Sequence, residues 1–307
     1  MSTGPRAQRG RVISSFGRHV VIEDADGAQR LCHPKGKKNA AVVGDWVLWT
    51  PSADEGRIVS VEARDNLLFR QDEWRTKMFA ANLDQVVVFL GATPEFSERQ
   101  LARALIACEA AHLTVRIVLN KHDLHEAFAR AWARLEPYAA MGYAVLPLSL
   151  EAQAPHGLEN LQAELLGRVS LILGPSGAGK SSLINRLVPD AQVLTQQISQ
   201  ALNSGKHTTT TSTWHWLDAA KTGALIDSPG FQEFGLNHIE RGQLPALMPD
   251  IAAHTGHCKY YNCTHRQEPG CGVRAAVDQN SGERPLSAGR YRLYLELFDA
   301  IGAPSHH

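Results

Sequence analysis

The chain carries no net formal charge: its 307 residues hold 31 Lys and Arg against 31 Asp and Glu. Proteins that grip a polyanion through bulk charge are strongly basic, so that class is excluded. Long hydrophobic runs are also missing. The longest, such as Val86 to Leu90, are strand-length and cannot cross a bilayer. Met1 to Gly10 has charge but no apolar core segment, so it does not read as a secretory signal. Coiled-coil heptads are lacking, which leaves a monomer as the default expectation. Paired cysteines are lacking too. Five is an odd number, and Cys258, Cys263 and Cys271 cluster late in the chain. That pattern fits a metal site in a reducing compartment, not a disulfide framework.

What is present is the composition of an ordinary globular protein, 44% hydrophobic and 20% charged, long enough for two or three domains. Charge is uneven along it. Residues 1–50 contain eight Lys and Arg against four Asp and Glu. A locally basic domain on a neutral chain can bind a phosphate backbone, although a solvated basic face accounts for the excess equally well.

Three segments are expected. Residues 1–68 carry five short β-prone runs, beginning at Gly10, His19, Gln29, Asp45 and Arg57, with turn signals between them. They predict a small closed barrel, most economically an OB-fold, with an SH3-like barrel as the alternative. Residues 74–240 alternate strands with helical patterns. Strands are expected at Gln85–Leu90, Val115–Asn120, Tyr143–Leu148, Val169–Leu173 and Gly223–Asp227. Helices are expected at Ser97–Leu113, with Ser97 as N-cap, and at Lys180–Leu187. This predicts an α/β domain with a mostly parallel sheet and helices on both faces. Residues 241–307 hold a Cys/His cluster and a closing helix capped by Ser287. Its stripe Tyr291, Tyr294, Leu295, Phe298 is expected to pack into a core.

The chemistry lies just past strand ends. Gly174-Pro175-Ser176-Gly177-Ala178-Gly179-Lys180-Ser181-Ser182 has the pattern of a P-loop between a strand and a helix. Its glycines let backbone N–H groups curl around phosphate, and the helix adds its positive end. Lys180 is expected on the β- and γ-phosphates and Ser181 on Mg²⁺. Asn120-Lys121-His122-Asp123 has the form of a guanine reader. Asp123 can accept two hydrogen bonds from guanine N1 and N2, which adenine cannot supply. Asn120 would brace the loop, and the Lys121 stem would lie over the base. Leu148-Ser149-Leu150 is a candidate for a backbone contact to the base.

Asp227-Ser228-Pro229-Gly230 follows an apolar strand 47 positions after Lys180. Asp227 can hold Mg²⁺ through water, and the Gly230 N–H can sense the γ-phosphate. Many GTPases place a water-orienting Gln after this Gly; here it is Phe231, so intrinsic turnover is expected to be slow. Between these motifs runs Gly205-Lys206-His207-Thr208-Thr209-Thr210-Thr211. Thr209 or Thr210 is expected to ligate Mg²⁺. His207 is a candidate to position water, or else a surface loop histidine. Cys258-x4-Cys263-x-His265-x5-Cys271 supplies three thiolates and an imidazole for a closed, structural Zn²⁺ site, with His254 and His257 as spare imidazoles.

The order of the motifs is the sharpest signal. In ordinary GTPases the P-loop precedes the base reader; here Asn120–Asp123 comes first, the mark of a circularly permuted GTPase. With the Cys3His cluster behind it, the chain resembles the ribosome small subunit-dependent GTPase A (RsgA) family over nearly its whole length. Lys206, Ser228 and the extra Thr211 are minor departures, and none of them touches an expected ligand. The resemblance implies an OB-fold first domain and GTP hydrolysis to GDP stimulated by the 30S subunit. It also implies a late role in 30S maturation and a cytoplasmic bacterial protein bound near 16S rRNA. By the same resemblance, His207 looks like the switch histidine, and Cys258, Cys263, His265 and Cys271 look like the zinc ligands. The competing expectation is a nucleotide-regulated RNA-binding module with negligible turnover. A P-loop kinase using ATP is opposed by Asn120–Asp123.

Overall fold

The computed structural model describes residues 6–16, 19–34, 40–52, 55–188, 191, 212–229, 234–279 and 286–301. Its first five strands are β1 Gln8–Phe16, β2 His19–Asp24, β3 Gln29–Pro34, β4 Trp46–Pro51 and β5 Gly56–Val61. They pair in the order β1-β2-β3-β5-β4, and β4 returns to β1, closing a barrel. β3 and β5 run parallel, and the other pairs run antiparallel. This is the strand order of an OB-fold, so the SH3-like alternative falls. Alternate side chains fill the inside: Val12, Val20, Ile22, Cys32, Val47, Trp49 and Ile58 form one buried cluster. Asp45, fully buried, is paired with Arg64 at 2.7 Å and accepts from the Val42 N–H, so the acid is satisfied.

A hairpin of β6 Leu67–Gln71 and β7 Thr76–Ala81 follows, which the sequence patterns had not indicated. Then come β8 Gln85–Gly91, α1 Glu98–Ala110, β9 Thr114–Asn120, α2 His125–Ala133, α3 Glu136–Ala140 and β10 Ala144–Pro147. They are followed by α4 Leu158–Leu165, β11 Val169–Leu173, α5 Lys180–Leu187, β12 Thr213–Trp216 and β13 Ala224–Asp227. Ser97 caps α1 as expected, its hydroxyl accepting from the Gln100 N–H at 3.3 Å, but the helix stops at Ala110 because Ala111 leaves helical geometry. β10, β9, β8, β11 and β13 are parallel in that order, and β12 is antiparallel beside β13. Every residue of β8 is buried, as a central parallel strand requires. Its side chains divide between two cores. Val86, Val88 and Leu90 pack with α1, while Val87 and Phe89 pack with α4 and α5. Helices thus cover both faces.

The barrel and the α/β unit share one sheet of eleven strands, joined where Ser14 of β1 pairs with Thr213 of β12. Beyond it lie a 3₁₀ turn at Leu244–Leu247, α6 Pro249–Thr255, α7 Gly272–Gln279 and α8 Ala288–Ala300. Ser287 caps α8 by accepting from the Arg290 N–H. The buried face of α8 is Arg290, Leu293, Tyr294, Leu297 and Phe298. Tyr291 and Leu295 are only partly buried, so the predicted stripe is rotated: the pattern missed Arg290, which is buried because Asp250 and Tyr138 satisfy it. Among the described residues no helix is long and apolar enough to cross a membrane.

Candidate nucleotide and metal sites

The parallel order of β8, β9, β11 and β13 brings four strand ends to one edge, where such sheets bind ligands. The loop 174–179 leaves β11 and enters α5. A side chain at Gly174 would overlap the Phe89 carbonyl oxygen. Gly179 has φ +103°, and a Cβ there would sit 2.6 Å from Asn120 Nδ2. Ala178 is buried beneath the loop, while Ser176, Gly177, Ser181 and Ser182 are exposed. The base-reading and phosphate loops are in direct contact: Asn120 Nδ2, at the end of β9, donates to the Ala178 carbonyl at 3.0 Å. Asn120 Oδ1 is buried without a hydrogen bond, an acceptor open to a ligand donor.

Lys180 Nζ donates to the carbonyls of Gly174 at 2.7 Å and Pro175 at 3.0 Å, folding over the loop it belongs to. Burial lowers its pKa, opposed by the charge of Asp227. Burial likewise pushes Asp227 up to about 6, opposed by Lys180. The two charges therefore lie near enough at this sheet edge to influence one another. Ser228 Oγ donates to the Ile172 carbonyl at 2.6 Å and pins the turn after Asp227 to β11.

At the base-reading end, Lys121 has φ +71°, and its Nζ donates to the Thr93 carbonyl at 2.6 Å. Asp123 is half-buried, and its Oδ1 accepts from Ser149 Oγ at 3.0 Å, while Oδ2 has no hydrogen-bond partner among the described residues. Ser149 is itself buried and exchanges two backbone hydrogen bonds with His156. His156 stacks on His122 with centroids 4.2 Å apart. Burial, then the neighbouring His156 and His125 rings, hold His122 below the usual histidine range. Sequence reasoning marked Ser149 only as part of a backbone loop and did not find Thr93 or His156. Nothing local signals them, because each meets its partner across the sheet. His207, Thr209, Thr210, Gly230 and Phe231 lie outside the described residues.

The ligand atoms of Cys258, Cys263, His265 and Cys271 lie within 4.8 Å of one another. His265 Nδ1 is 3.4 Å from Cys258 Sγ and 3.6 Å from Cys271 Sγ. Donors around one tetrahedral ion are spaced by about 3.5 Å, so the set can hold a metal. The Gly272 and Arg274 N–H groups point at Cys258 Sγ and Cys271 Sγ, which favours thiolates. Glu268 accepts from the Thr264 hydroxyl and the N–H groups of Thr264, Arg266 and Gln267. Those bonds, led by the Thr264 hydroxyl, pull its carboxyl down to about 2. His265 fills the imidazole position, and the spare histidines, His254 and His257, are not in the set.

A phosphate loop and a base-reading loop touching at one sheet edge, in inverted chain order, define a circularly permuted P-loop GTPase. Relatives agree. A profile described as RsgA GTPase matches residues 61–237. The chain is 61% identical over 289 residues to the small ribosomal subunit biogenesis GTPase RsgA of Variovorax paradoxus strain S110, covering 94% of this chain and 91% of that protein. It is 47% identical to the protein of the same name from Bordetella pertussis strain Tohama I, covering 96% of each. Among solved structures it is similar to YjeQ from Thermotoga maritima, with TM-score 0.71, 29% identity, and 97% and 100% of the two chains covered. It is also similar to YloQ, a circularly permuted GTPase, with TM-score 0.68, 25% identity, and 100% and 99% covered. The chain belongs to the RsgA family of ribosome-biogenesis GTPases and is a GTP-hydrolysing enzyme.

Proposed function

We propose that this protein hydrolyses GTP to GDP and phosphate during late maturation of the 30S subunit, bound near 16S rRNA, and that the small subunit stimulates its turnover. The observation that carries the reading is the Asn120–Ala178 hydrogen bond, which joins the two loops and supports reading them as one guanine-nucleotide site. The names of its relatives support the ribosomal partner.

In this reading Asp123 selects guanine, with Ser149 fixing the orientation of the carboxylate that accepts from the base. Asn120, Lys121 and His122 complete the base pocket. Backbone N–H groups of residues 174–182 cradle the phosphates, and Lys180 exchanges its loop carbonyls for phosphate oxygens. Mg²⁺, held by Ser181, Asp227 and Thr209 or Thr210, supplies charge neutralisation at the phosphates. The Gly230 N–H senses the γ-phosphate, and His207 positions water. Phe231 can neither orient nor deprotonate water, so the subunit completes the site. Zn²⁺ held by Cys258, Cys263, His265 and Cys271 is structural. Residues 1–68, 74–240 and 241–307 act as barrel, GTPase and zinc-binding domains. The barrel and zinc domains contact the subunit, and the protein works as a cytoplasmic monomer.

The test is GTP turnover by the purified protein, alone and with 30S or 50S subunits. Strong stimulation by 30S subunits only is expected. Fast turnover of the isolated protein, unchanged by 30S subunits, overturns the reading, as does stimulation by 50S subunits alone.

A further inference from the structure

Lys259-Tyr260-Tyr261-Asn262 fills the interval between the ligands Cys258 and Cys263, and all four residues are exposed. Tyr261 is 103% exposed and Tyr260 42%. Single exposed apolar residues are ordinary, but two exposed aromatic residues adjacent in the chain are a different matter. Among the described residues, the other exposed large hydrophobic residues are scattered along the chain at Val59, Trp74, Leu124 and Leu166.

The turn holding these rings is ordered from both ends. The Lys259 N–H donates to the Gly270 carbonyl at 2.9 Å, and the Cys263 N–H donates to the Tyr260 carbonyl at 3.2 Å. Lys259 Nζ lies 5.6 Å from the Tyr260 ring centroid, so a cation accompanies the aromatic pair. From Cys258 to Cys271 the only carboxylate is Glu268, and its oxygens are occupied by four hydrogen bonds from Thr264, Arg266 and Gln267. The surface therefore offers a flat ring and a cation, while the one carboxylate of the loop is held by its own backbone N–H groups and the Thr264 hydroxyl. A hydrophobic protein partner would call for a contiguous apolar patch, and exposed Lys259 and Asn262 flank the two rings instead. An unpaired nucleobase with its phosphate matches what is offered: a π face for the base and an ammonium for the backbone.

We propose that Tyr261 is a stacking platform for an unpaired RNA base, with Lys259 on the adjoining phosphate and Tyr260 bracing the turn. The inference rests on the reading that this protein binds the 30S subunit, and it specifies one contact within that complex. No metal ligand and no nucleotide-site residue is altered by changing Tyr261.

The test uses the full-length chain loaded with a non-hydrolysable GTP analogue. Tyr261→Ala and Tyr261→Phe are compared with the unaltered protein for binding to 30S subunits and to a labelled single-stranded RNA 16-mer. Bound metal and subunit-free GTP turnover, both expected to be unchanged, confirm folding. Tyr261→Ala is expected to weaken 30S binding about tenfold, while Tyr261→Phe, which keeps the ring, stays near the unaltered value. Photocrosslinking is expected to join Tyr261 to an unpaired rRNA nucleotide. Equal binding by Tyr261→Ala in both assays overturns the proposal. So does equal loss in both variants, which would assign the contact to the hydroxyl, or a crosslink to a ribosomal protein. If the unaltered protein binds the 16-mer in a Tyr261-dependent way but not the 30S subunit, the ribosomal reading fails while the stacking site stands.

Discussion

Asp123 has one carboxylate oxygen tied to Ser149 and so approaches a ligand with a single orientation. That geometry makes its chemistry testable. Asp123→Asn replaces an acceptor with a donor on the side facing guanine N1 and N2. GTP affinity is expected to fall by about 100-fold or more, with a gain for xanthine nucleotides, read by titration of fluorescent analogues. Unchanged GTP affinity would remove Asp123 from the base pocket. Its motif was legible in the sequence because four adjacent residues carry it. Ser149 was only half legible: its loop was marked, but its hydroxyl bond depends on β10 lying beside β9. Asn120 was expected to brace a loop, and its side chain bonds the Ala178 carbonyl in the candidate phosphate loop.

At the scale of elements, β12 carries more than its four residues suggest. It pairs with β13, which ends on Asp227, and with β1 of the barrel. Arg11 lies over the rings of Trp46 and Trp214, 4.2 and 4.6 Å from their centroids. Glu23 accepts from Trp216 Nε1 and from Lys221 Nζ. The strand is thus clamped from the barrel side by aromatic and charged contacts. Within it His215 is 2% exposed, its Nδ1 has no hydrogen bond, and burial pushes its pKa down to about 4. Folding therefore favours the neutral ring. Above pH 6.5 both folded and unfolded chains carry it neutral, and no stability changes. As pH falls from 6.5 towards 4, the unfolded chain takes up a proton that the folded one refuses. Stability is then lost, by about 2 kcal/mol between pH 7.5 and pH 5. Asp227, held up at about 6, titrates in the opposite sense over the same range, so the reading is the difference between two proteins. In denaturant unfolding at the two pH values, His215→Leu should lose about 2 kcal/mol less than the unaltered protein. An identical pH difference in the variant would refute the assignment. β12 was not predicted, since the polar–aromatic alternation of Thr-Trp-His-Trp runs for only four residues and the flanking strands β1 and β13 are what bury it.

At the scale of the whole molecule, the Cys/His loop is fastened to the closing helix. Tyr291 and Tyr294 donate their hydroxyls to the His265 and Thr264 carbonyls at 2.7 and 2.8 Å. The same helix reaches the α/β unit through Arg290, which bonds Asp250 and Tyr138. Metal removal by a strong chelator is therefore expected to lower the thermal midpoint and to expose α7 and α8 to hydrogen exchange. Strands β8 to β11 should remain protected. Unaltered exchange in α7 and α8, with metal shown to be absent, would mean the cluster does not organise this region.

The sequence by itself determined the motifs, their inverted order, the barrel strands and the Cys3His spacing. Each is written in neighbouring residues, where backbone geometry and ligand chemistry dictate the residue types. The tertiary structure alone decided the OB-fold strand order, the β6–β7 hairpin, the buried face of α8 and the eleven-strand sheet that joins barrel to GTPase. These depend on which strand edges and side chains meet across long sequence separations, and strand pairing leaves no record in local periodicity.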